Sequence, residues 1–201
     1  MISVCMMTKD NGRTIRQALE SALALGDEII LMVDNKSTDD TLEIAKEYEK
    51  WHYKKVKLST YTFEYFGAAR NRMIKLASKD WIFMLDGDEV VDAPDCEALR
   101  AMIATNPPPA VYLMPRNNWK DMERKEKMEG RQFYPDWQTR LYPGHEKVLY
   151  RQQKVYEAPT GVPWKRMSNG IHLQHWACAL RTHQDWMDIA ELYKRLNSME
   201  S

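Results

Sequence analysis

Three carboxylates crowd one glycine at Asp86-Gly87-Asp88-Glu89, directly after the apolar run Trp81 to Leu85. Acids this close repel one another, and a charge beside an apolar layer is costly until something neutralises it. A divalent cation does so directly. In an extended chain, residues i and i+2 point to the same side, so Asp86 and Asp88 can converge on one ion. Gly87 lets the backbone approach a ligand closely or adopt a positive φ. Hard oxygen donors suit Mg²⁺ or Mn²⁺. A solvated acidic turn after a strand is the plainer reading of the same four residues.

The elements that would carry this cluster follow from hydrophobic periodicity. Ile2 to Met7 has the length and composition of a buried strand, broken by Lys9-Asp10-Asn11-Gly12. Ile15, Ala18, Leu19, Ala22 and Leu23 form one face of a helix, with Gly26 at its C-cap. Glu28 to Val33 predicts a second strand ending in Asp34. Ser37 predicts the cap of a second helix, with Asp39 and Asp40 in its first turn and Leu42, Ala45 and Tyr48 inward. Val56 to Thr62 predicts a third strand. Gly67 leads into a third helix with Ala69, Met73, Leu76 and Ala77 inward, and Trp81 to Leu85 is the fourth strand. This βαβαβαβ order predicts an α/β fold: a mostly parallel, doubly wound sheet with helices on both faces. Ligands bind beyond the carboxyl ends of such strands, where Thr8, Asp34 and Asp86 all fall.

The rest of the chain is less regular. Cys96 to Ala104 predicts a helix stopped by Pro107-Pro108-Pro109, and Val111 to Met114 a strand. Asn117 to Gly130 is polar, highly charged and aromatic at its start, which predicts a mobile loop or irregular excursion about as long as ordinary domains tolerate without function. Strand candidates follow at Phe133 to Tyr142, Val155 to Glu157 and Ile171 to Trp176. Trp186, Ile189, Ala190, Tyr193 and Leu196 predict a closing amphipathic helix. Without repeats or a linker, we expect one domain with two functional halves, 1–95 and 96–201.

Composition excludes several classes. Twenty-nine basic and 29 acidic residues balance, so there is no global electrostatic case for nucleic acid or an anionic membrane. Three cysteines, far apart, form neither a metal spacing nor a disulfide framework, which makes a reducing cytoplasm the expectation. The N-terminus lacks a signal-peptide pattern and no apolar run nears membrane-spanning length. Peripheral membrane association stays compatible with this.

With these elements in view, the chain resembles the family-2 glycosyltransferases of the GT-A fold. The resemblance rests on Ile2 to Asn11, on Glu28 to Thr41 with its Val33-Asp34-Asn35 centre, on Gly67-Ala68-Ala69-Arg70-Asn71-Arg72, and on Asp86-Gly87-Asp88-Glu89. It implies a nucleotide-sugar donor, with a UDP-sugar expected, held by the first half. Thr8 and Asp34 would contact base and ribose, Arg70 the base or diphosphate, and Asp86 and Asp88 a Mn²⁺ or Mg²⁺ ion. Asp34 also suits a turn residue capping the next helix, and Arg70 a surface ion pair.

The second half resembles acceptor-side segments of small bacterial members at Tyr134 to Tyr142 and at Val155-Tyr156-Glu157, where those members often carry His-Glu. An inverting transfer needs a base for the acceptor hydroxyl, of a glycan or similar molecule, and a carboxylate is the usual choice. Glu157 and Asp136 are the candidates, with Glu157 preferred because it follows a strand-like run and precedes a Pro/Gly loop. His172 and His175 lie three apart and would face opposite ways in a strand. That argues against a paired zinc site. The resemblance implies that His175, beside Trp176, completes the metal or diphosphate site, as a late histidine does in some GT-A enzymes, and a partly buried, hydrogen-bonded histidine is the plainer reading. Two other classes remain open: a sugar-nucleotide pyrophosphorylase, which the single glycine after the first strand disfavours, and a non-catalytic nucleotide- or glycan-binding module.

Overall fold

The computed structural model describes residues 1–130, 133–144, 148–150, 158–167 and 170–180, with 187, 191 and 194. The first half alternates as the periodicity predicts: β1 (Ile2–Thr8), α1 (Ile15–Leu25), β2 (Glu28–Asp34), α2 (Thr41–Trp51), β3 (Val56–Tyr61), α3 (Phe66–Leu76) and β4 (Trp81–Asp86). Next come β5 (Glu89–Val91), α4 (Ala93–Ala104), β6 (Val111–Asn118), β7 (Asp136–Pro143), β8 (Leu149–Tyr150), β9 (Pro159–Thr160), β10 (Trp164–Arg166), β11 (Leu173–His175) and α5 (Ala177–Leu180).

The main sheet runs β3-β2-β1-β4-β7-β6-β11-β5, with β10 also beside β6. β3, β2, β1 and β4 are parallel. β7 is antiparallel to both β4 and β6, while β11 is parallel to β6 and antiparallel to β5. The sheet is therefore mixed and mostly parallel, an α/β architecture as expected. Every residue of β1 and β2 is buried, which is why these strands read as continuous apolar runs. Their alternate side chains feed two cores. Ile2, Val4 and Met6 pack with α1, α2 and α4, whereas Cys5 and Met7 pack with Ala69 and Met73 of α3.

One feature of this order shapes the site. β4 and β5 are separated by only Gly87 and Asp88 in the chain, yet three strands lie between them in the sheet. The sheet must curl back on itself for two residues to span that gap, and the backbone N–H of Asp86 donates to Glu89 Oε2 at 3.2 Å across the turn. The inner surface of the curl is where the polar residues of the second half converge.

Several expectations shift. α2 begins at Thr41 rather than near Ser37, and Asp39 serves its start by accepting from the Thr41 N–H and hydroxyl at 3.1 and 2.5 Å. Leu76, expected inward, is 47% exposed, and Arg70 takes a buried place on α3 instead. Gly26 does end α1, in an extended conformation (φ −88°) instead of the left-handed one. β5 was hidden inside the acidic cluster, because three residues are too few to show a period. The excursion after β6 folds back through a bridge between Trp119 and Lys127. The strand candidate at Val155 to Glu157 lies outside the described residues, as does most of the closing helix.

Candidate active site

The parallel register sets Thr8 opposite Val33, Asp34 opposite Tyr61, and Asp86 opposite Met7, so the three strand ends form one row. The loops beyond them are tied together. The N–H of Asn11 donates to Thr41 Oγ1 (2.8 Å), that of Gly12 to Asp39 Oδ2 (2.7 Å), and that of Thr38 to Asp10 Oδ1 (2.7 Å). Thr8 Oγ1 donates to Asn11 Oδ1 at 2.7 Å. Asp34 is buried, and its Oδ1 accepts the Lys36 N–H at 3.0 Å, closing a local turn seven residues before α2 begins. Arg70 reaches Asp86 Oδ1 at 3.4 Å and lies over the Tyr150 ring, 5.6 Å from its centre.

Gly87 sits against this row. A Cβ added there would come 2.4 Å from Thr8 Oγ1 and 2.7 Å from Asn11 Oδ1, inside any allowed contact. Thr14 Oγ1 donates to the Gly87 carbonyl at 2.8 Å. The acidic turn is thus seated on the loop after β1.

Behind it lies a layer of buried charge. Glu89 is fully buried, and its Oε1 accepts from Arg140 Nη2 (2.6 Å) and Arg116 Nη1 (3.0 Å). Arg140, 3% exposed, also donates to Asp86 Oδ2 at 2.8 Å. Charges removed from water persist only when paired and hydrogen-bonded, and here each guanidinium lies between two carboxylates. Burial raises the Asp86 carboxyl, but the guanidiniums of Arg140, Arg70 and Arg116 outweigh it and hold the group well below its ordinary range. Arg140 Nε is buried with no partner among the described residues.

The far wall comes from β6, β7 and β11. Asp136 accepts from Arg116 Nε (2.8 Å), Arg116 Nη2 (2.7 Å), Asn118 Nδ2 (3.2 Å) and Gln138 Nε2 (2.6 Å). Burial raises its carboxyl, and the Arg116 charge with these hydrogen bonds reverses the effect, leaving it below the usual value. His175, paired in register with Asn118, brings Nδ1 to 2.6 Å from Asn118 Oδ1 and Nε2 to 3.5 Å from Asp88 Oδ2. His172 instead meets the Tyr134 hydroxyl at 3.0 Å, so the two histidines serve different neighbours.

Of the residues singled out in the sequence, Thr8, Asp34 and Asp86 end neighbouring parallel strands, Arg70 pairs with Asp86, Asp88 with His175, and Asn118 joins His175 to Asp136. Glu157 lies outside the described residues. The chain turns at Gly87, with Asp86 paired to Arg70 and Arg140 and Asp88 3.5 Å from His175, whose charge also acts on Asp86. Among the described residues, no three His, Cys, Asp or Glu side chains gather as a complete metal cage. Glu89 was named within the acidic cluster but given no role of its own, and Arg116, Asn118 and Arg140 were not singled out. Arg140 had a signal: an arginine directly before Leu141 and Tyr142 in a strand is rarely buried unless paired.

A sequence profile described as glycosyl transferase family 2 matches residues 3–168. This chain belongs to that family. It is 36% identical over 88 residues to a TPR repeat-containing protein of Synechococcus elongatus, a stretch covering 44% of this chain and 20% of that protein. It is 30% identical over 97 residues to the SPbeta prophage-derived glycosyltransferase SunS of Bacillus subtilis, with the same two coverages. Among solved structures, S. aureus TarS 1-349 in complex with UDP-GlcNAc superposes with a TM-score of 0.64 at 17% identity, over 87% of this chain and 58% of that one. The fold of this family-2 chain is thus that of the GT-A glycosyltransferases. The chain spans about a fifth of the length of these two curated relatives. No helix among the described residues is long and apolar enough to cross a membrane.

Proposed function

We propose that this chain is a metal-dependent, inverting glycosyltransferase that moves a sugar from a UDP-sugar to a hydroxyl of a glycan or similar acceptor. The observation that carries this reading is the pairing of Asp88 with His175 beside the Asp86 cluster, at the carboxyl ends of the parallel strands. Family membership and the likeness to a TarS structure holding UDP-GlcNAc support the donor class. Thr8 and Asp34 then serve the base and ribose, and Arg70 the base or diphosphate. The half up to residue 95 serves the donor and the half from residue 96 the acceptor. Cys5 and Cys96, both buried free thiols, suit a reducing cytoplasm.

The residues fit a divalent ion. His175 Nε2 and Asp88 Oδ2 lie 3.5 Å apart, so a ring proton or a bound cation would join an imidazole nitrogen to a carboxylate there. Mg²⁺ sites commonly take one or two carboxylates and complete their shell with phosphate and water, and Mn²⁺ likewise suits carboxylate, carbonyl and water oxygens. Asp86, engaged by Arg140 and Arg70, supports the site from behind the turn. When bound, the ion supplies charge stabilisation for the departing diphosphate. For the acceptor hydroxyl we assign the base role to Glu157. Asp136, acidified by Arg116, is a weak base and acts as an anchor.

The test is UDP release from a panel of UDP-sugars with Mn²⁺ and hydroxyl acceptors. Turnover is expected to stop in EDTA, and Asp88→Asn to lose Mn²⁺-dependent UDP binding. Full activity in chelator would remove the metal from the reading. Donor binding without turnover would favour a binding module, and pyrophosphate release from UTP and a sugar phosphate would favour the pyrophosphorylase. Glu157→Gln is expected to lower kcat by about 10²–10⁴-fold with UDP affinity unchanged. If Asp136→Asn shows that pattern instead, the two roles exchange.

A further inference from the structure

Asn118 ends β6 and stands in register with His175 of β11. It is 6% exposed, and all of its side-chain hydrogen-bonding groups point inward at named partners. Its Nδ2 lies 3.2 Å from the Phe133 carbonyl and 3.2 Å from Asp136 Oδ2. Both are oxygens that only accept, so this end of the amide is the NH₂ end. The other end, 2.6 Å from His175 Nδ1, is therefore the carbonyl oxygen. A carbonyl accepts and cannot donate, so Nδ1 carries the proton. The lone pair of the neutral ring is then on Nε2, the nitrogen that faces Asp88. This is the reverse of a histidine side chain in water, whose neutral form keeps its proton mainly on Nε2.

We propose that Asn118 is a positioning residue: its amide fixes His175 as the Nδ1–H tautomer, aiming an Nε2 lone pair at the Asp88 side, and the same amide orients Asp136 on the acceptor side. The tautomer assignment stands on hydrogen-bond geometry alone. Its consequence for cation affinity rests on the metal reading above. Ligating histidines characteristically give their second N–H to such a partner, and losing that partner typically costs 10–100-fold in metal affinity. Asn118 differs from the usual carboxylate partner in having a donor end as well. One side chain thereby links the Asp88–His175 pair to the Asp136–Arg116 pair.

Two substitutions separate the two ends of the amide. Asn118→Asp keeps an acceptor for the Nδ1–H but cannot donate to Asp136. Asn118→Leu keeps neither. The first measurement is ¹⁵N NMR of the His175 ring in the metal-free protein at alkaline pH, with the signal assigned by its loss in His175→Gln. Wild type and Asn118→Asp are expected to show the Nδ1–H tautomer, and Asn118→Leu the Nε2–H tautomer. The second is Mn²⁺ titration in the presence of UDP, with melting temperatures recorded alongside. Asn118→Leu is expected to bind Mn²⁺ about 10–100-fold more weakly, while Asn118→Asp stays within about threefold of wild type. An Nε2–H tautomer in the wild-type protein overturns the proposal without recourse to any variant. So does an Asn118→Leu protein that keeps the Nδ1–H form, or one that changes tautomer with Mn²⁺ affinity unaltered. If wild type with UDP binds no Mn²⁺ at all, the metal reading fails, and the tautomer comparison still decides the role of Asn118.

Discussion

The two sides of the site are held by different means. On the β1–β2 side, position comes from backbone: parallel strands end in one row, and the loops after them are stapled by N–H groups donating to Asp10, Asp39 and the Thr41 hydroxyl. On the β6–β7–β11 side, position comes from charge: Glu89, Arg140, Arg116, Asp136 and Asp86 hold one another in a buried or half-buried network. The first arrangement spreads its stabilisation over many small contacts. The second concentrates it, because removing one member leaves its partner charged and buried. The difference teaches where the molecule is brittle.

That contrast can be broken at its strongest point first. Arg140→Met removes the guanidinium shared by Asp86 and Glu89 and keeps the bulk. We expect a loss of about 3–5 kcal/mol in denaturant unfolding, the scale of stranding a buried charge. A loss near 1 kcal/mol would mean the network is no more brittle than the loops.

Glu28 offers an intermediate case, since it is a buried carboxylate on the regular side. Its oxygens accept from Ser3 Oγ (2.6 Å) and from the Ser78 N–H (2.8 Å), and it pairs with Lys57. Burial raises its carboxyl, but the Lys57, Ser3 and Ser78 hydrogen bonds prevail and bring it down to about 2. A depressed carboxyl stabilises the fold above its unfolded value, 4.5, and loses that contribution as pH falls through about 2. Glu28→Gln should therefore cost about 1–3 kcal/mol at neutral pH, with the gap to wild type closing in melts run toward pH 2. A gap independent of pH would locate the effect in packing instead of charge.

The smallest effect is expected at the staples. Asp39→Ala removes the acceptor for Gly12 and for the first N–H of α2, at a cost of about 1 kcal/mol. UDP affinity is the sharper readout here, because a loosened β1 loop moves Thr8 while the fold survives. If Asp39→Ala cost as much as Arg140→Met, the two sides would not differ in kind.

How much of this was legible in the sequence follows the same division. β1 to β4 and their helices announce themselves because buried parallel strands are continuous apolar runs and the helices between them keep one apolar face. Thr8, Asp34 and Asp86 could be placed by counting to the ends of those strands. Glu89 could not, since its strand is three residues long and its partners lie 27 and 51 positions away. Asn118 looked like the first residues of a polar loop. Its importance comes from facing His175 across a parallel pairing 57 residues apart, which no local pattern encodes. The turn at Gly87–Asp88 was likewise not legible, because an Asp-x-Asp run reads equally well as extended chain.

The missing side chain at Gly87 has one more consequence. With a would-be Cβ only 2.4 Å from Thr8 Oγ1, the glycine works as a spacer of zero thickness between the acidic turn and the first loop. On the function proposed above, the separation between the base end and the diphosphate end would be set here, by backbone touching the Thr8 and Asn11 side chains. Any larger residue at this position would act as a shim, lengthening that dimension for every ligand at once. The space left there is less than one methyl group.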